Sequence, residues 1–325
     1  MSTTPLDPQL AAIVAAMRAN HAPPPFSGTP EQARQRMTRA IMAARDKSGV
    51  PGVGAVEDGV AGHGNLRVPV RVYRPASGRT SYPTIVFFHG GGFVLGSVEL
   101  MDDIARKLCR DVDAVVVSVD YRLAPEHRFP AAHDDALAAT TWAIRNVGSL
   151  GGDASRVAIA GESAGANLAA STAISLRDQG ITLAAQLLIV PGVNFARDTV
   201  KIEKQRADYA MLGAPDLRDI ASLYLGPDLA HARQSPPSPL FAKDFKGLPP
   251  AVIAVAGHDP LREEGLAYAD KLANAGVAVQ LLQFDDMFHP FFGFFEASAS
   301  ARTANDAICS AFAACLRNPA TPASG

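Results

Sequence analysis

Short, wholly apolar runs rich in β-branched residues alternate with longer amphipathic stretches along most of this chain. The runs at 115–117 and 187–190 contain no polar residue, which is typical of strands that helices cover on both faces of a parallel sheet. Strands are predicted at 67–73, 84–88, 114–119, 156–160, 185–190, 251–256 and 277–284. Helices are predicted between them, for example at 131–146, 164–179, 263–275 and 297–316. This alternation predicts an α/β fold built on a doubly wound sheet.

Two regions depart from the alternation. Residues 1–45 precede the first predicted strand and have a helical pattern, whereas residues 195–245 are rich in charges and prolines. We interpret both as parts of one cap over the ligand-binding end of the sheet. The predicted organisation is an N-terminal part of the cap (1–45), a catalytic core (46–194), a cap insertion (195–245) and the rest of the core (246–325). The small, polar tail at 318–325 is expected to fray.

Composition narrows the classes of function. The 30 basic and 32 acidic side chains give a formal charge of −2, and no Lys/Arg run is present, so nothing indicates a nucleic-acid partner. No stretch approaches the roughly 18 apolar residues of a membrane span. The apolar segment 10–17 lacks the basic residues that begin a signal peptide, so we expect an amphipathic helix there and a cytoplasmic protein. Cys109, Cys309 and Cys315 match no zinc-binding spacing, and Cys309 and Cys315 are predicted to be buried as small hydrophobic residues. An odd number of cysteines with no disulfide framework fits a reducing compartment.

Residues 161–165 read Gly-Glu-Ser-Ala-Gly and match the G-x-S-x-G pattern of serine hydrolases. The motif follows the predicted strand 156–160 and opens the helix that begins at Ala164, which is the strand–turn–helix setting that the pattern requires. Ser163 is therefore the predicted nucleophile, and the N–H of Ala164 is a predicted donor to the reaction's oxyanion. The alternative is an ordinary strand–helix turn with a capping serine.

Residues 89–93 read His-Gly-Gly-Gly-Phe and directly follow the predicted strand 84–88. Consecutive glycines let backbone N–H groups approach the oxygen that becomes negative during ester hydrolysis, and loops of this type contribute to the oxyanion hole in lipases and esterases. We expect His89 to anchor the loop by hydrogen bonds and not to transfer protons. A flexible glycine turn and a phosphate-binding loop are alternatives, but the Lys-Ser/Thr of a P-loop is missing.

A serine hydroxyl needs a base to accept its proton, and the base needs an orienting carboxylate. In hydrolases with this motif the acid and then the histidine follow the serine, and three histidines follow Ser163: His231, His258 and His289. His231 lies in the predicted cap, and His258 directly precedes Asp259, where it cannot easily face the same site. His289 and Asp259 each follow a predicted strand, at the ligand-binding edge of the sheet. They are the predicted base and acid.

Asp285 and Asp286 are alternative acids. Both are too close in sequence to His289 to reach its far ring nitrogen comfortably. We therefore expect them to lie in a short loop, 285–288, between the strand at 277–284 and His289.

Four motifs occur together and in a fixed order: residues 89–93, residues 121–126 with 129–132, residues 161–165 and residues 259–265. With them the chain resembles the hormone-sensitive-lipase-like carboxylesterases, also called bacterial family IV, from about residue 66 to 295. The resemblance implies an eight-stranded, mostly parallel α/β-hydrolase sheet with a helical cap. It assigns the triad to Ser163, Asp259 and His289, and the oxyanion hole to Gly91, Gly92 and Ala164, with Gly90 completing the loop.

The resemblance also implies ester hydrolysis through an acyl-enzyme, with no metal or organic cofactor. It makes a homodimer through the strand before His289 a candidate assembly, and it implies a cis peptide bond before Pro125 or Pro130. Glu162 stands where many members carry aspartate, and Pro290 follows His289 where glycine is common. We interpret Glu162 as a subgroup difference that leaves the chemistry intact.

Two alternative functions share this fold: a ligand-binding receptor and an amidase or peptidase. A receptor would be expected to lose a triad residue, and none is lost here. Amines are poorer leaving groups than alcohols, and nothing indicates a peptide-binding cleft. We therefore predict a carboxylesterase acting on small-molecule esters.

The charged cap insertion favours soluble esters with acyl chains of about ten carbons or fewer over lipid in oil droplets. Four phenylalanines offer apolar surface near His289 unless they pack in the core: Phe288, Phe291, Phe292 and Phe294.

Overall fold

The structure, a computed structural model, describes residues 4–45, 49–205 and 209–317, so the predicted fraying tail at 318–325 lies outside the described residues. Within these residues, eight strands form one sheet. The strands are β1 (Ala55–His63), β2 (Leu66–Arg74), β3 (Tyr82–Phe88), β4 (Val115–Val119), β5 (Gly152–Glu162), β6 (Ala185–Ile189), β7 (Ala251–His258) and β8 (Val279–Phe288). The helices are α1 (Pro8–Ala19), α2 (Pro30–Ala44), α3 (Asp102–Val112), α4 (Ala131–Arg145), α5 (Ala164–Asp178), α6 (Thr199–Gln205), α7 (Ala214–Leu225), α8 (Arg262–Asn274) and α9 (Ala299–Arg317).

The sheet has the strand order β1-β2-β4-β3-β5-β6-β7-β8. Strand β2 is antiparallel to both β1 and β4, and the remaining neighbours are parallel. Every residue of β3, β4 and β6 is buried, which explains why these strands are mostly apolar instead of alternating. Each holds one buried polar residue: Thr84, Ser118 and Gln186. The predicted eight-stranded, mostly parallel α/β-hydrolase sheet is confirmed.

Helices cover both faces of the sheet. Helices α4, α5 and α8 contribute Ala136, Leu168 and Tyr268 to the core on one face. Helices α3 and α9 contribute Leu108 and Phe312 to the core on the other face. Apolar strand faces are thus removed from water on both sides, which is the main stabilisation of such a fold.

The first strand, β1, has no counterpart among the predicted strands. It lies at one edge of the sheet, pairs with β2, and exposes four consecutive residues from Glu57 to Val60. A strand that buries little has few apolar positions and therefore lacks the pattern by which a strand is predicted.

Strand β8 is longer than predicted. It continues through Phe288, so Asp285 and Asp286 lie in the strand and not in a loop. Strand β7 also extends beyond its predicted end, to His258. Its register with β8 shifts between Ala256 and His258, and pairing resumes between His258 and Phe288. The two aspartates lie in the irregular part of this ladder, between the pair of Phe284 with Ala256 and the pair of Phe288 with His258.

The first described residues fold against the late part of the chain. Asp7 caps α1 and accepts hydrogen bonds from the N–H of Leu10 and the hydroxyl of Ser298. Its own N–H donates to the Asp286 carbonyl at 2.9 Å. Leu10 and Val14 are buried, which confirms the predicted amphipathic helix. Within residues 4–45, 49–205 and 209–317, every helix is too short or too polar to cross a lipid bilayer.

Two local expectations can be compared with the structure directly. The Ala124–Pro125 and Phe129–Pro130 peptide bonds are both cis, as the resemblance implied, and so is His289–Pro290. The free thiols of Cys109 and Cys309 are buried, as predicted for Cys309, whereas Cys315 was predicted to be buried and is partly exposed.

Candidate active site

Ser163 occupies a tight turn between β5 and α5. Its backbone has φ 57° and ψ −115°, in the left-handed region that a residue with a side chain adopts only under strain. The surrounding glycines permit this crossing, because a Cβ on Gly161 would lie 2.2 Å from the Gly165 carbonyl carbon and one on Gly165 would lie 2.0 Å from the Phe88 oxygen. The strained turn thus presents the serine hydroxyl at the end of the strand.

The structure brings Ser163, His289 and Asp259 into one hydrogen-bonded chain. The Ser163 Oγ lies 2.9 Å from His289 Nε2, and His289 Nδ1 lies 3.0 Å from Asp259 Oδ2. All three residues are buried. The other carboxylate oxygen, Asp259 Oδ1, accepts the Leu261 N–H at 2.8 Å. The Asp259 carboxylate is therefore held on one side by the backbone and faces the imidazole with the other.

The remaining acids and histidines considered in the sequence lie apart from this chain. Asp285 pairs with Arg262 at 2.8 Å. His258 Nε2 lies 2.9 Å from the Thr4 carbonyl oxygen, and His231 is exposed, with Nδ1 3.1 Å from Gln234 Oε1. Their positions leave Asp259 and His289 as the pair beside the serine.

The glycine loop follows β3 and folds back on itself at Gly91. The Gly91 carbonyl accepts the N–H of Leu95 at 2.8 Å and that of Val94 at 3.1 Å. Gly91 has φ 118° and Gly92 has φ 61°, backbone conformations that glycine adopts without penalty. Because C=O and N–H point in opposite directions in a trans peptide, the Gly92 N–H points away from Val94 and Leu95.

His89 contacts the loop that it was expected to anchor. Its Nδ1 lies 2.8 Å from the Gly90 oxygen, and its ring stacks on Tyr121 with centroids 4.2 Å apart. The Tyr121 hydroxyl in turn donates to the His89 carbonyl at 2.9 Å. Burial lowers the pKa of His89, so the neutral ring donates from Nδ1 to Gly90. That bond turns the Gly91 N–H, at the other end of the same peptide, in the opposite direction.

Glu162 is a buried carboxyl group beside the serine. A Cβ on Gly90 would lie 3.1 Å from its Oε2, and within the described part of the chain its Oε1 makes no hydrogen bond. Burial raises the pKa of Glu162 to about 7, although the charge of His289 acts in the opposite direction. The sequence marked Glu162 as a subgroup difference, whereas the structure shows a titratable group in the site.

A buried polar network beside the site was not predicted. His133 Nδ1 lies 2.7 Å from the Tyr224 hydroxyl, and its Nε2 lies 3.1 Å from Asn167 Oδ1. The Asn167 amide donates to the carbonyls of Gly192 and Pro237, both at 2.7 Å. Burial lowers the pKa of His133 to about 4, so the network is neutral. The network joins α4, α5 and α7 near the serine. The only feature of the sequence that could have indicated it is the position of His133, directly after the motif at 129–132.

Apolar side chains surround the glycine loop. Phe93 stacks on Tyr224 with ring centroids 4.1 Å apart and lies 5.6 Å from Phe195. A Cβ on Gly92 would lie 2.7 Å from Ile220 Cδ1 and 3.1 Å from Phe26 Cε1, so both of these side chains lie directly over the loop. The apolar surface beside the loop is thus supplied by α7 and by the segment between α1 and α2.

The four phenylalanines near His289 were expected either to offer apolar surface to an acyl group or to pack in the core. Phe288, Phe291 and Phe292 are fully buried in the core on the α3–α9 face, and Phe294 packs against it. Packing in the core, the alternative that the sequence left open, therefore describes the three buried phenylalanines.

Comparisons with known proteins agree with this geometry. A sequence profile described as the alpha/beta hydrolase fold matches residues 85–293. Carboxylesterase NlhH of Mycobacterium tuberculosis is 40% identical over 247 residues, which span 74% of this chain and 76% of that protein. An arylesterase of Saccharolobus solfataricus is 35% identical over 271 residues, spanning 81% and 84%. The solved hyperthermophilic esterase of the archaeon Pyrobaculum calidifontis superimposes with a TM-score of 0.88 at 37% identity, covering 96% and 99% of the two chains.

Fold, sequence and relatives together define a carboxylesterase. More narrowly, the chain belongs to the hormone-sensitive-lipase-like family of α/β-hydrolases.

Proposed function

We propose that this carboxylesterase hydrolyses small-molecule esters through Ser163, His289 and Asp259. The observation that carries the proposal is the unbroken hydrogen-bonded chain from the serine oxygen through both ring nitrogens to the carboxylate, with distances of 2.9 and 3.0 Å. A base within hydrogen-bond reach of a hydroxyl, itself oriented by an acid, is the arrangement that activates serine.

The reaction follows from these contacts. Ser163 Oγ attacks the ester carbonyl while His289 Nε2 accepts its proton, and Asp259 stabilises the imidazolium through Nδ1–H. The tetrahedral intermediate collapses, His289 gives the proton to the departing alcohol, and an acyl group remains on Ser163. His289 then removes a proton from water, which attacks the acyl-enzyme. As the second tetrahedral intermediate collapses, His289 returns that proton to Ser163 Oγ and the acid is released.

The oxyanion is stabilised, in this proposal, by the N–H groups of Gly91, Gly92 and Ala164. Two hydrogen-bonded carbonyls support it: the bond from His89 to Gly90 orients the Gly91 N–H, and the bonds to the Gly91 oxygen orient the Gly92 N–H. Ala164 is the first residue of α5, where the helix end carries partial positive charge. Donors fixed before the reaction stabilise a developing charge without reorganisation.

We propose further that residues 1–45 and 195–245 form a cap that limits the length of the substrate. Phe26 and Ile220, one from each region, lie over Gly92, and Phe195 and Tyr224 extend the apolar surface from the second region. A pocket with such a roof favours acyl chains of about ten carbons or fewer. Long-chain lipid at an interface would need a larger exposed apolar face than a covered loop provides.

Replacement of the serine tests the mechanism. Ser163→Ala should reduce kcat by about 10⁴-fold or more while the fold is retained. Ser175→Ala, on the same helix and partly buried, is the matched control and should keep wild-type activity. Mass spectrometry after a phosphonate inhibitor should find the adduct on Ser163. Activity of the alanine variant within about tenfold of wild type would exclude Ser163 as the nucleophile.

Substrate length is tested with nitrophenyl esters of about two to sixteen carbons alongside emulsified triglyceride. We expect kcat/KM to peak at about ten carbons or fewer, with no jump in rate above the solubility limit of the substrate. A peak at the longest chains, or such a jump, would contradict the proposed pocket.

Two proposals concern the setting of the enzyme. We propose a homodimer through β8, which is an edge strand of the sheet, and a cytoplasmic location, which the free thiols of Cys109 and Cys309 support. Light scattering on the purified protein tests the first, and fractionation of the native cells tests the second.

A further inference from the structure

Arg34, on helix α2, makes hydrogen bonds to three residues in two loops around the glycine motif. Its Nε donates to the Val94 carbonyl at 2.8 Å, and its Nη2 donates to the Ala124 carbonyl at 2.7 Å. Nη1 and Nη2 also donate to the two carboxylate oxygens of Glu126, both at 2.8 Å. One guanidinium thus joins the N-terminal region to two loops beside the serine.

The bond to Val94 leads directly to Gly92. The Val94 carbonyl and the Leu95 N–H belong to one peptide, and that N–H donates to the Gly91 carbonyl at 2.8 Å. The Gly91 carbonyl shares a peptide with the Gly92 N–H. Two peptide groups therefore connect the Arg34 side chain to the Gly92 N–H, and hydrogen bonds in such a series polarise and orient one another.

A second route ends at the same carbonyl. The Ala124 N–H donates to the Phe93 carbonyl at 2.8 Å, and the Val94 N–H of that peptide donates to Gly91 at 3.1 Å. Arg34 holds the carbonyl of Ala124 itself. Two peptide groups thus donate an N–H to the Gly91 oxygen, and the carbonyl of each is itself hydrogen-bonded. Arg34 binds the Val94 carbonyl of one, and Ala124, which Arg34 also binds, donates to the Phe93 carbonyl of the other.

Glu126 fixes the orientation of the guanidinium. A bidentate carboxylate holds the planar fork in one direction, which leaves Nε aimed at Val94. Arg34 holds the pKa of Glu126 at about 2, so the ion pair is charged throughout the neutral range. The Arg34 side chain is 28% exposed, and its contacts with the two carbonyls are more shielded than those with Glu126.

We propose that Arg34 is a positioning residue for the oxyanion hole, holding the Gly91–Gly92 peptide in the direction that aims the Gly92 N–H at the reacting oxygen. The inference rests on the proposed function, in which that N–H is a donor. It makes the N-terminal region a part of the catalytic machinery in addition to a cover over the substrate.

The experiment compares Arg34→Met, Arg34→Lys and Glu126→Gln, with Arg39→Met as control, because Arg39 is an exposed arginine on the same helix. Arg34→Met should lower kcat by about tenfold or more and leave KM within about twofold, since a displaced donor is lost mainly in the transition state. Arg34→Lys should remain impaired, because one ammonium cannot reproduce the fork. Glu126→Gln should show a smaller loss, and Arg39→Met none.

A transition-state analogue separates positioning from a merely structural role. A trifluoromethyl ketone adds to Ser163 and forms an oxyanion, whereas the corresponding secondary alcohol does not. Arg34→Met should weaken inhibition by the ketone by the same factor as kcat and leave inhibition by the alcohol unchanged. Active sites are counted by phosphonate titration, so that misfolded protein is not scored as lost kcat.

Two outcomes would overturn the inference. One is a loss of active sites in Arg34→Met with normal kcat for each remaining site, which would indicate a role in stability alone. The other is equal weakening of ketone and alcohol binding. If Ser163→Ala abolishes activity while Arg34→Met does not reduce kcat, the proposed function stands and this inference fails. If Ser163→Ala stays active, the proposed function itself fails.

Discussion

Arg197 and Glu264 form a bidentate ion pair, with 2.8 Å from Nε and 2.9 Å from Nη2, in which only 8% and 6% of the two side chains are exposed. Glu264 also accepts the Asn194 N–H at 3.1 Å. Burial raises the pKa of Glu264 against the opposing effect of Arg197. Because α8 begins three residues after Asp259, the pair fixes the segment after β6 to the helix that follows Asp259.

Loss of one partner of this pair should destabilise the protein strongly. Arg197→Met is expected to lower the free energy of unfolding by about 3–5 kcal/mol, because it leaves Glu264 buried without its counter-ion. The double variant Arg197→Met/Glu264→Leu should recover most of the loss. Arg218→Met is the matched control: its ion pair with Glu203 at 3.0 Å is exposed and should contribute about 1 kcal/mol or less. Urea unfolding measures all three, and a double variant no more stable than the single one would contradict the argument.

Replacement of Asp259 by asparagine should identify it as the acid of the triad. Asp259→Asn keeps the size of the side chain but no longer favours the His289 tautomer that accepts the serine proton, so kcat should fall by about 10²–10⁴-fold. Asp285→Asn, at the alternative acid that instead pairs with Arg262, should retain activity within about twofold. Steady-state kinetics decide, and the reverse ranking of the two variants would show that the wrong acid has been assigned.

Ile220 should control acyl length. Its side chain lies over Gly92, and removal of a few methyl groups in an apolar pocket changes discrimination by about tenfold or more. Ile220→Ala should therefore raise the kcat/KM ratio of ten-carbon to four-carbon nitrophenyl esters by about tenfold. Val200→Ala, at an exposed position on α6, should leave the ratio unchanged. An unchanged ratio in Ile220→Ala would place the acyl chain elsewhere.

Glu162 should make stability depend on pH. Burial raises its pKa from the ordinary 4.5 to about 7, so the folded protein holds a proton that the unfolded chain releases. The stability that this protonation provides is present below about pH 4.5 and is lost as the pH rises to about 7. Glu162→Gln should remove that dependence. Between pH 4.5 and pH 8, the free energy of unfolding of the wild type should fall by roughly 2–3 kcal/mol more than that of the variant.

The control for this prediction is Glu263→Gln, an exposed glutamate on α8. Its difference from wild type should stay within about 0.5 kcal/mol at both pH values. Urea unfolding at pH 4.5 and pH 8 provides the measurement. A difference between Glu162→Gln and wild type that is the same at both pH values would show that Glu162 does not titrate in this range.

The sequence predicts the sheet well because buried strands are recognisable as runs of apolar residues. Strands covered on both faces are mostly apolar, and the carboxyl ends of parallel strands meet at one edge, so residues that follow strands are expected to meet. Ser163, Asp259 and His289 were placed together on that argument, and they do lie together. Strand β1 escaped prediction because it is mostly exposed and therefore has no such run.

Hydrogen bonds from a side chain to distant backbone atoms cannot be recognised in the sequence. Arg34 binds the carbonyls of Val94 and Ala124, which are 60 and 90 positions away, and any residue type supplies a carbonyl. His133 is likewise polar at a buried position, so its partners Tyr224 and Asn167 follow only from the packing of three helices. The length of β8 is a third case, because its pairing with β7 resumes at Phe288, beyond two aspartates that have a weak strand preference.

The contact between Asp7 and Ser298, which joins residues 291 positions apart, also constrains how the protein is made. Synthesis proceeds from the N-terminus, so the α1 segment is made well before the Ser298 hydroxyl that it contacts. Leu10 and Val14 share their core with residues of α9, such as Ile308 and Phe312, which are made about three hundred positions later. Contacts of such high sequence separation form late and slow the search for the native state. Until they form, the apolar face of this amphipathic helix lacks part of its packing partner.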